Sequence, residues 1–432
     1  MRILVYPHDM AMGGSQLNAI ELAGAVAALG HSVSVVGDAG PLVRLVHDLG
    51  LRHIPVPASR RRPSPAVARD LRKLVRDEGI DIVHGYEWPP GLEAHAAVFP
   101  LRRAAAVCTV MSMSVAPFLP RHLPLVVGTK AIQDNTAPGR PGPVHLIEPP
   151  VDLEANAPGH PTAEFKVEYA LDGPDMVDVV VICRLVPELK LEGVLTAIDV
   201  VGELARELPL RLTVVGDGNA RQTVEDHTAK ANARAGRRAV VLTGELFDPR
   251  PAYAAADIVL GMGGSALRSL AFGRPLVVQG EKGFWELLTP DSVGLFLQQG
   301  WYGVADGAGG AERLSAILRA LVSDPARRAE LGAYGRKLAE DRFSLSRAAR
   351  VQEQIYLEAL SAGRQGLISQ SADGARSVAG VVTHKVRRRW TALRGTRASE
   401  DFNQVTLAAA AASGSGSGEP TERNARTAPR IE

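Results

Sequence analysis

The chain has 432 residues, of which 46% are hydrophobic and 22% charged, and its formal net charge is +2. This length suggests two domains of ordinary size and an additional segment. The sequence has no window near the roughly 18 consecutive apolar residues that a membrane-spanning helix needs. Residues 1–362 have no basic stripe interleaved with aromatic residues. These features argue against an integral membrane protein and against nucleic acid as a substrate.

Other features of the composition suggest a cytoplasmic protein. Cys108 and Cys183 both lie in apolar runs, which predicts buried free thiols rather than a disulfide. The start MRILVYPHDM has too short an apolar run for a signal peptide and looks like a first strand. We therefore expect a cytoplasmic protein, peripheral to a membrane at most, and the richness in Ala, Gly, Arg and Pro favours a bacterial source.

Residues 1–160 alternate short apolar runs with amphipathic helical patterns. The runs are RILVY, SVSVVG, DIVHGY, AAVCTV and PLVVGT, with helical patterns such as Gln16–Leu29 and Ala66–Glu78 between them. Apolar runs that lack polar alternation are typical of parallel strands covered by helices on both faces. The pattern predicts an α/β domain with a doubly wound, Rossmann-like parallel sheet.

The same pattern restarts after a Pro/Gly-rich break around Pro138–Pro161. VDVVVICRL, LRLTVVG, AVVLTG, ADIVLGMG and RPLVVQG are its strand candidates, which predicts a second Rossmann-like domain over residues 161–344. A closing amphipathic helix is expected at residues 345–362. Because parallel sheets bind ligands at the carboxyl ends of their strands, we expect a ligand cleft between the two domains.

The composition changes to Ser, Gly, Ala, Thr and Arg after the closing helix. Residues 363–432 hold 11 of the 49 Lys and Arg residues but only 6 of the 47 Asp and Glu residues. We expect this tail to be disordered, apart from at most a short basic helix. Thr383–Arg397 packs six Lys/Arg around one tryptophan, which suits weak peripheral contact with anionic lipid. A solvated tail is the alternative.

Glycine-rich turns follow several of the predicted strands and precede helices. Such turns bring backbone N–H groups to a helix start, where they can bind an anion, although a turn can also need glycine only for its dihedral angles. The candidate residues in these turns are Gly13, Gly14, Gly216, Gly218, Gly244, Gly263, Gly264 and Ser265.

Two cations flank the start of the first helix in the second domain. Arg184 ends the strand VDVVVICR, and Lys190 follows six residues later at the beginning of the next helix. A strand-end arginine and a helix-start lysine can neutralise a diphosphate together with the positive end of the helix dipole. Two solvated surface charges are the alternative.

The order of these features resembles retaining family-4 glycosyltransferases over about residues 1–360. ICRLVPELKLEG supplies the arginine and lysine of the family's Gly-Arg-Leu and Lys-Gly pattern, with Cys183 in place of the first glycine. VVGDGNAR resembles the family's Val-Gly-x-Gly turn, and SLAFGRP resembles its small-residue helix ending at Gly-x-Pro. Gly283 to Glu286 resembles the family's Gly-x-x-Glu loop, and LIEPPVDLEANAP resembles its interdomain linker. The resemblance implies the GT-B fold, in which two Rossmann-like domains face each other across a cleft.

The resemblance also implies a reaction. A sugar would move from a nucleoside-diphosphate sugar to an acceptor hydroxyl with retention of anomeric configuration, without a metal or any further cofactor. Arg184 and Lys190 would stabilise charge on the leaving phosphate. The donor-binding positions would be the glycine turns of the second domain with Ser265, Arg268 and Glu286. The acceptor is unknown; a lipid-linked compound and a small molecule are both candidates.

On the acceptor side, we name Gly13, Gly14 and His84 as candidates. His84 ends the strand DIVH and could take a polar role near the acceptor. A histidine whose hydrogen bonds are satisfied within the core is an equally good interpretation of this residue.

The chain departs from the family at two positions. Met111 stands where the family has a catalytic-site histidine, and Arg268 stands where it has a ribose-binding glutamate, whose earlier partner glutamate is also missing. An arginine can only donate hydrogen bonds, so ribose recognition must differ, and Arg268 could face the diphosphate, an acidic group or solvent. These departures leave two alternatives open: a non-catalytic GT-B-like binding protein and a nucleotide-sugar epimerase.

Overall fold

The structure, a computed structural model, describes residues 1–57, 62–99, 104–171, 173, 175–187, 189–362 and 367–393. Its first sheet has seven strands: β1 (Arg2–Tyr6), β2 (Ser32–Gly37), β3 (Arg52–Pro55), β4 (Ile82–Tyr86), β5 (Ala105–Val110), β6 (Leu125–Val127) and β7 (Val144–Leu146). All the pairs are parallel, in the order β3-β2-β1-β4-β5-β6-β7.

Helices cover both faces of this sheet. They are α1 (Gly14–Ala28), α2 (Val43–Asp48), α3 (Pro65–Asp77), α4 (Trp88–Val98) and α5 (Lys130–Thr136), with a 3-10 turn at Ala137–Gly139. Alternate residues of β1 enter different apolar clusters, Ile3 and Val5 on one face and Leu4 and Tyr6 on the other. A strand buried on both faces needs an apolar residue at every position, which explains the unbroken run RILVY.

The second sheet has six strands: β8 (Val177–Ile182), β9 (Leu210–Val215), β10 (Val240–Gly244), β11 (Ile258–Gly261), β12 (Leu276–Gln279) and β13 (Trp285–Leu287). Their order is β10-β9-β8-β11-β12-β13, and only the β12–β13 pair is antiparallel. The helices of this domain are α6 (Ala163–Glu168), α7 (Leu191–Leu204), α8 (Arg221–Ala235), α9 (Arg250–Ala255), α10 (Gly264–Ala271), α11 (Val293–Gln299), α12 (Gly310–Ser323) and α13 (Pro325–Arg342).

The chain crosses between the domains twice. Ile147 packs in the first core, whereas Val151 packs with residues of α10 and β12 in the second. After α13, helix α14 (Leu345–Ser361) returns to the first domain, where Ile355 and Tyr356 are buried in its core. The expectation of two doubly wound sheets is therefore confirmed, and the last helix fastens the second domain to the first. Both cysteines are free and buried.

The expectation of a disordered tail with at most a short helix is wrong for residues 367–393. They form a 27-residue helix, α15 (Leu367–Leu393), and Val381 belongs to an apolar cluster of the first domain. Composition alone did not predict this helix, because only a few widely spaced positions such as Val381 pack on the first domain. Residues 394–432, with the remainder of the basic segment and the Leu407–Gly418 linker, lie outside the described residues. No helix among the described residues is long and apolar enough to span a bilayer.

Candidate functional site

Arg184 and Lys190 lie in the loop between β8 and α7. Arg184 is exposed, Lys190 is half-buried at the N-cap of α7, and neither side chain makes a hydrogen bond or ion pair with any residue that the structure describes. Burial, and then repulsion from Arg184, lower the pKa of Lys190. No side chain caps the first turn of α7. The first turn of α7 also carries Glu192, whose carboxylate accepts from the Lys282 and Gly283 N–H groups. The side chains of Arg184 and Lys190 thus stay available to an anion at the start of the helix.

Gly216 and Gly218 shape that loop. Their φ angles are +141° and +156°, and a Cβ would lie 1.8 Å from the Cys183 carbonyl oxygen at Gly216 and 2.3 Å from that of Leu185 at Gly218. The Gly216 N–H donates to the Gly244 carbonyl at 2.8 Å, and the Gly218 N–H donates to the Asp217 carboxylate at 2.7 Å. These N–H groups are already engaged, so the glycines matter because they let the Arg184 loop pack closely.

The turn at Gly263, Gly264 and Ser265 begins α10. Gly263 has φ +55° and donates its N–H to the Trp301 carbonyl at 2.7 Å. The Ser265 hydroxyl donates to the Met262 carbonyl at 2.9 Å and accepts from the Met262 N–H at 3.1 Å, so it closes the turn. The start of α10 has no side-chain cap, and the turn can present its remaining N–H groups to a ligand.

Arg268 on α10 reaches the first domain. Its Nη2 lies 3.2 Å from Oε1 of Glu21, a residue of α1, and both side chains are 20% exposed. Of the three partners left open by the sequence, the structure thus selects an acidic group. Burial raises the pKa of Glu21, and Arg268 opposes that shift. The position of the family's ribose-binding glutamate is therefore occupied by an interdomain ion pair.

The segment Gly283 to Glu286 is only partly a loop. Glu286 lies within β13, opposite Val278 of β12, and burial raises its pKa. The Gly283 N–H donates to the Glu192 carboxylate at 2.6 Å, which ties this segment to the first turn of α7. The segment therefore lies near Lys190, as its assignment to the donor side requires.

On the first domain, Gly13 caps α1 and Gly14 begins it. Gly13 has φ −162°, an ordinary extended conformation, so its dihedral angles do not require glycine. A Cβ at Gly13 would meet the Gln16 side chain, and one at Gly14 would meet nothing within 4 Å. The turn leaves open space at the carboxyl end of β1, on the side that faces the cleft.

The assignment of His84 to the acceptor side is wrong. The side chain is fully buried; its Nδ1 lies 2.7 Å from the Tyr356 hydroxyl and its Nε2 lies 2.7 Å from the Thr109 hydroxyl. Burial lowers its pKa to about 3. Both ring nitrogens are satisfied by the core, so the side chain fastens α14 to β4 and β5 and does not reach a substrate.

Sequence reasoning missed Glu87, which follows β4. Its carboxylate accepts hydrogen bonds from the Met111 N–H at 2.9 Å, the Ser112 hydroxyl at 2.7 Å and the Ser15 hydroxyl at 3.3 Å. It therefore joins the loops after β1, β4 and β5. Glu87 has φ +69°, a conformation that a non-glycine residue adopts only where its surroundings enforce it. One sequence signal could have identified Glu87: it is an acidic residue between the end of a strand and the Trp-Pro-Pro start of a helix.

Glu87 lies beside the position at which the resembling family has its histidine. Met111 contacts the carboxylate through its N–H, while its side-chain methyl lies against Gly128. Burial raises the pKa of Glu87, and its hydrogen bonds oppose the shift. The carboxylate thus lies beside Met111, whose own side chain offers no comparable hydrogen-bonding group. Among the described residues, no group of three or more His, Cys, Asp or Glu side chains is placed to hold a metal ion.

Two parts of the chain match known protein domains. Residues 13–140 match the glycosyl transferase 4-like domain, and residues 177–319 match the glycosyl transferases group 1 domain. None of the curated protein sequences compared with the chain matches it.

Solved structures share the whole two-domain architecture. A glycosyltransferase from Rickettsia africae is 15% identical, with a TM-score of 0.66 over 83% of this chain and 98% of that one. Anabaena Alr3699/HepE in complex with UDP is 16% identical, with a TM-score of 0.63 over 82% and 99% of the two chains. The same protein in complex with UDP-glucose gives a TM-score of 0.61 at 16% identity over 84% and 100%. Residues 13–140 thus match the glycosyl transferase 4-like domain, residues 177–319 match the glycosyl transferases group 1 domain, and the two parts together have the GT-B fold.

Proposed function

We propose that the protein transfers a sugar from a nucleoside-diphosphate sugar to an acceptor hydroxyl, with retention of anomeric configuration and without a metal ion. The observation that carries the proposal is the pair Arg184 and Lys190, which has no partner among the described residues and stands at the uncapped start of α7. The domain matches and the UDP and UDP-glucose held by the Anabaena neighbour support a nucleotide-sugar donor.

The two cations act mainly in the transition state. As the bond between sugar and diphosphate breaks, negative charge grows on the leaving phosphate, and fixed cations bind that charge more strongly than they bind the ground state. A half-buried Lys190 is more effective than a solvated one, because less water screens its charge. Arg184 and Lys190 together can take the role that a divalent cation has in metal-dependent transferases.

The acceptor would bind on the first domain, between the turn at Gly13 and Gly14 and the cluster around Glu87. The Glu87 carboxylate offers hydrogen-bond acceptors for an incoming hydroxyl, and Ser15 and Ser112 hold it in place. The second candidate function is nucleotide or sugar binding without transfer. It is favoured by the Arg268–Glu21 ion pair, which replaces a ribose-binding carboxylate with a contact inside the protein.

Calorimetry with UDP, GDP and ADP tests the donor site. Arg184→Ala and Lys190→Ala should each weaken nucleoside-diphosphate binding about tenfold or more, because each removes a charge-assisted phosphate contact. Arg234→Ala is the matched control, since Arg234 pairs with Asp199 on the outer surface of the same domain. If the wild type binds none of the three nucleotides at millimolar concentration, the donor-site proposal fails.

Transfer itself is tested by release of free nucleoside diphosphate from the donor sugar that binds, in the presence of lipid and small-molecule acceptors. The anomeric configuration of the product, read by proton NMR, decides retention. Unchanged turnover after chelation of divalent ions supports metal independence. Tight donor binding without release under any acceptor would favour the non-catalytic alternative.

A further inference from the structure

Helix α15 attaches to the first domain along one face. The Asp373 carboxylate accepts from the His122 N–H at 2.9 Å and lies 2.8 Å from His122 Nδ1, and Ser377 and Val381 are buried. The His384 ring lies 5.3 Å from Phe118 and 5.8 Å from Trp88, measured between ring centroids. These contacts fix the rotation of the helix about its axis, so the direction of every other side chain between residues 372 and 390 follows.

The opposite face of α15 carries large apolar side chains that face solvent. Val378, Val382, Val386 and Trp390 recur at four-residue spacing, and their exposed fractions are 66%, 56%, 49% and 60%. A helix turns by about 100° per residue, which places the middle of this stripe almost directly opposite Asp373, Ser377 and Val381. A contiguous exposed apolar stripe of this kind indicates a surface that binds a partner.

Cations flank the stripe on both sides. By the same rotation, Lys385 and Arg389 lie along one edge of it, and Arg376 and Arg387 lie along the other. Arg388 lies on the same side of the helix as Ser377 and Val381. The single acidic residue between 372 and 390 is Asp373, which is buried and paired with Arg376 and His122. The outward face is therefore apolar in the middle and positively charged at its edges.

We infer that α15 is a membrane-docking helix, whose exposed stripe inserts into the interface of an anionic lipid bilayer. An apolar stripe lined by Lys and Arg and ending in a tryptophan is the pattern of helices that lie in that interface. A second copy of the chain is a poorer occupant, because two such faces would bring the like charges of Lys385 and Arg389 close together. The inference concerns attachment to lipid and does not depend on the transfer reaction.

The inner side of α15 contacts residues that lie next to the proposed acceptor-side cluster around Glu87. Trp88, which contacts His384, is the residue after Glu87. Phe118, which contacts the same ring, follows Ser112 in the loop after β5. A helix held at the bilayer through its outer face would therefore hold the acceptor-side cluster near the lipid surface.

Co-sedimentation of the full chain with vesicles tests the inference. We expect binding to vesicles that contain phosphatidylglycerol, weak binding to pure phosphatidylcholine, and release at high salt. Val382→Ser/Val386→Ser should lower the partition coefficient about tenfold or more through lost apolar contact. Lys385→Gln/Arg389→Gln should lower it by about fivefold for each cation, because an adjacent cation contributes about that factor at an anionic surface.

Matched controls separate this effect from general changes. Val167→Ser and Arg327→Gln remove an exposed valine and an exposed arginine of the second domain and should leave binding unchanged. Thermal melting should show that all variants remain folded, since none of the altered side chains is buried. Vesicles with brominated lipid should quench tryptophan emission in the wild type and much less in Trp390→Phe.

Three results would overturn the inference. The first is no binding of the wild type to anionic vesicles at low salt. The second is equal binding by the wild type and Val382→Ser/Val386→Ser. The third is a dimer in light scattering that dissociates in Val382→Ser/Val386→Ser while vesicle binding stays absent, which would make the stripe an interface between copies of the chain.

Discussion

Arg268 of the second domain and Glu21 of the first form an ion pair across the interdomain cleft, with Arg268 Nη2 3.2 Å from Oε1 and 3.4 Å from Oε2 of Glu21. The pair joins the helix after the Gly263 turn to the helix after the Gly13 turn. A carboxylate at position 268, as in the resembling family, would repel Glu21.

Breaking this pair should destabilise the protein. Arg268→Ala and Glu21→Gln each leave a partly buried charge without its partner, and each should lower the free energy of unfolding by about 1–3 kcal/mol. The charge-swapped protein Arg268→Glu/Glu21→Arg should recover at least half of the loss. Urea unfolding provides the measurement. The exposed Arg319–Glu207 pair is the control. The same single and charge-swapped substitutions there should change the free energy of unfolding by less than about 1 kcal/mol. If the charge-swapped protein loses as much stability as the two single variants added together, Arg268 and Glu21 are not coupled.

The same substitution tests how the donor is bound. Arg268→Glu should leave nucleoside-diphosphate affinity within about tenfold of the wild type, because the ribose contacts are hydrogen bonds to neutral hydroxyls while Arg184 and Lys190 still hold the phosphates. Calorimetry with the nucleotide that binds the wild type checks this. A loss of affinity as large as that in Arg184→Ala would instead place Arg268 in the phosphate site.

Gly216→Ala should disturb the loop that carries Arg184. The new Cβ would lie 1.8 Å from the Cys183 carbonyl oxygen at a residue with φ +141°, so the loop must move. We expect a loss of about 2 kcal/mol or more in the free energy of unfolding and at least tenfold weaker nucleoside-diphosphate binding. Gly14→Ala, which meets no atom within 4 Å, should change neither. Wild-type affinity in Gly216→Ala would argue that the position of this loop does not control the site.

His84 should make stability depend on pH. Burial lowers its pKa to about 3 from 6.5, so the unfolded chain takes up a proton as the pH falls below 6.5 while the folded protein stays neutral there. Stability is therefore full above that pH and is lost as the pH falls from 6.5 towards 3. Between pH 7 and pH 5 the contribution is about 2 kcal/mol.

Urea unfolding at several pH values compares the wild type with His84→Gln. The variant should be less stable at pH 7 but should lose less stability on acidification. Tyr356→Phe keeps the histidine and should keep most of the acid dependence. Parallel curves for the wild type and His84→Gln would contradict the assignment.

Glu87→Gln should lower the activity towards the acceptor and leave nucleoside-diphosphate binding unchanged. The amide has no negative charge and only one acceptor oxygen. Its NH2 group would oppose the Met111 N–H or, on the other side, force the Ser112 hydroxyl to accept instead of donate. We expect kcat/KM for the acceptor to fall about 100-fold while the nucleoside-diphosphate Kd stays within twofold. Ser112→Ala, which leaves the carboxylate in place, should have a much smaller effect. An equal loss of donor affinity would mean that the cluster only supports the fold.

The sequence by itself determined the features that depend on neighbouring residues. Unbroken apolar runs such as RILVY are required of strands buried on both faces, so the two doubly wound sheets could be predicted from them. The placement of Arg184 and Lys190 on one loop followed from a spacing of six residues after a strand. The glycine turns were visible because positive φ angles, as at Gly216 and Gly218, strongly favour glycine.

Only the tertiary structure decided which distant residues meet. The sequence left His84 available for a ligand, whereas in the structure Tyr356 of α14 covers it and binds its Nδ1. Glu87 gained its role from Ser15 and Ser112, which lie 72 and 25 residues away, and Arg268 gained its partner from a helix 247 residues earlier. The apolar residues of α15 recur at helical spacing, but only the structure shows that Val381 packs on the first domain. Such contacts depend on chain topology and burial, and local periodicity carries no information about either.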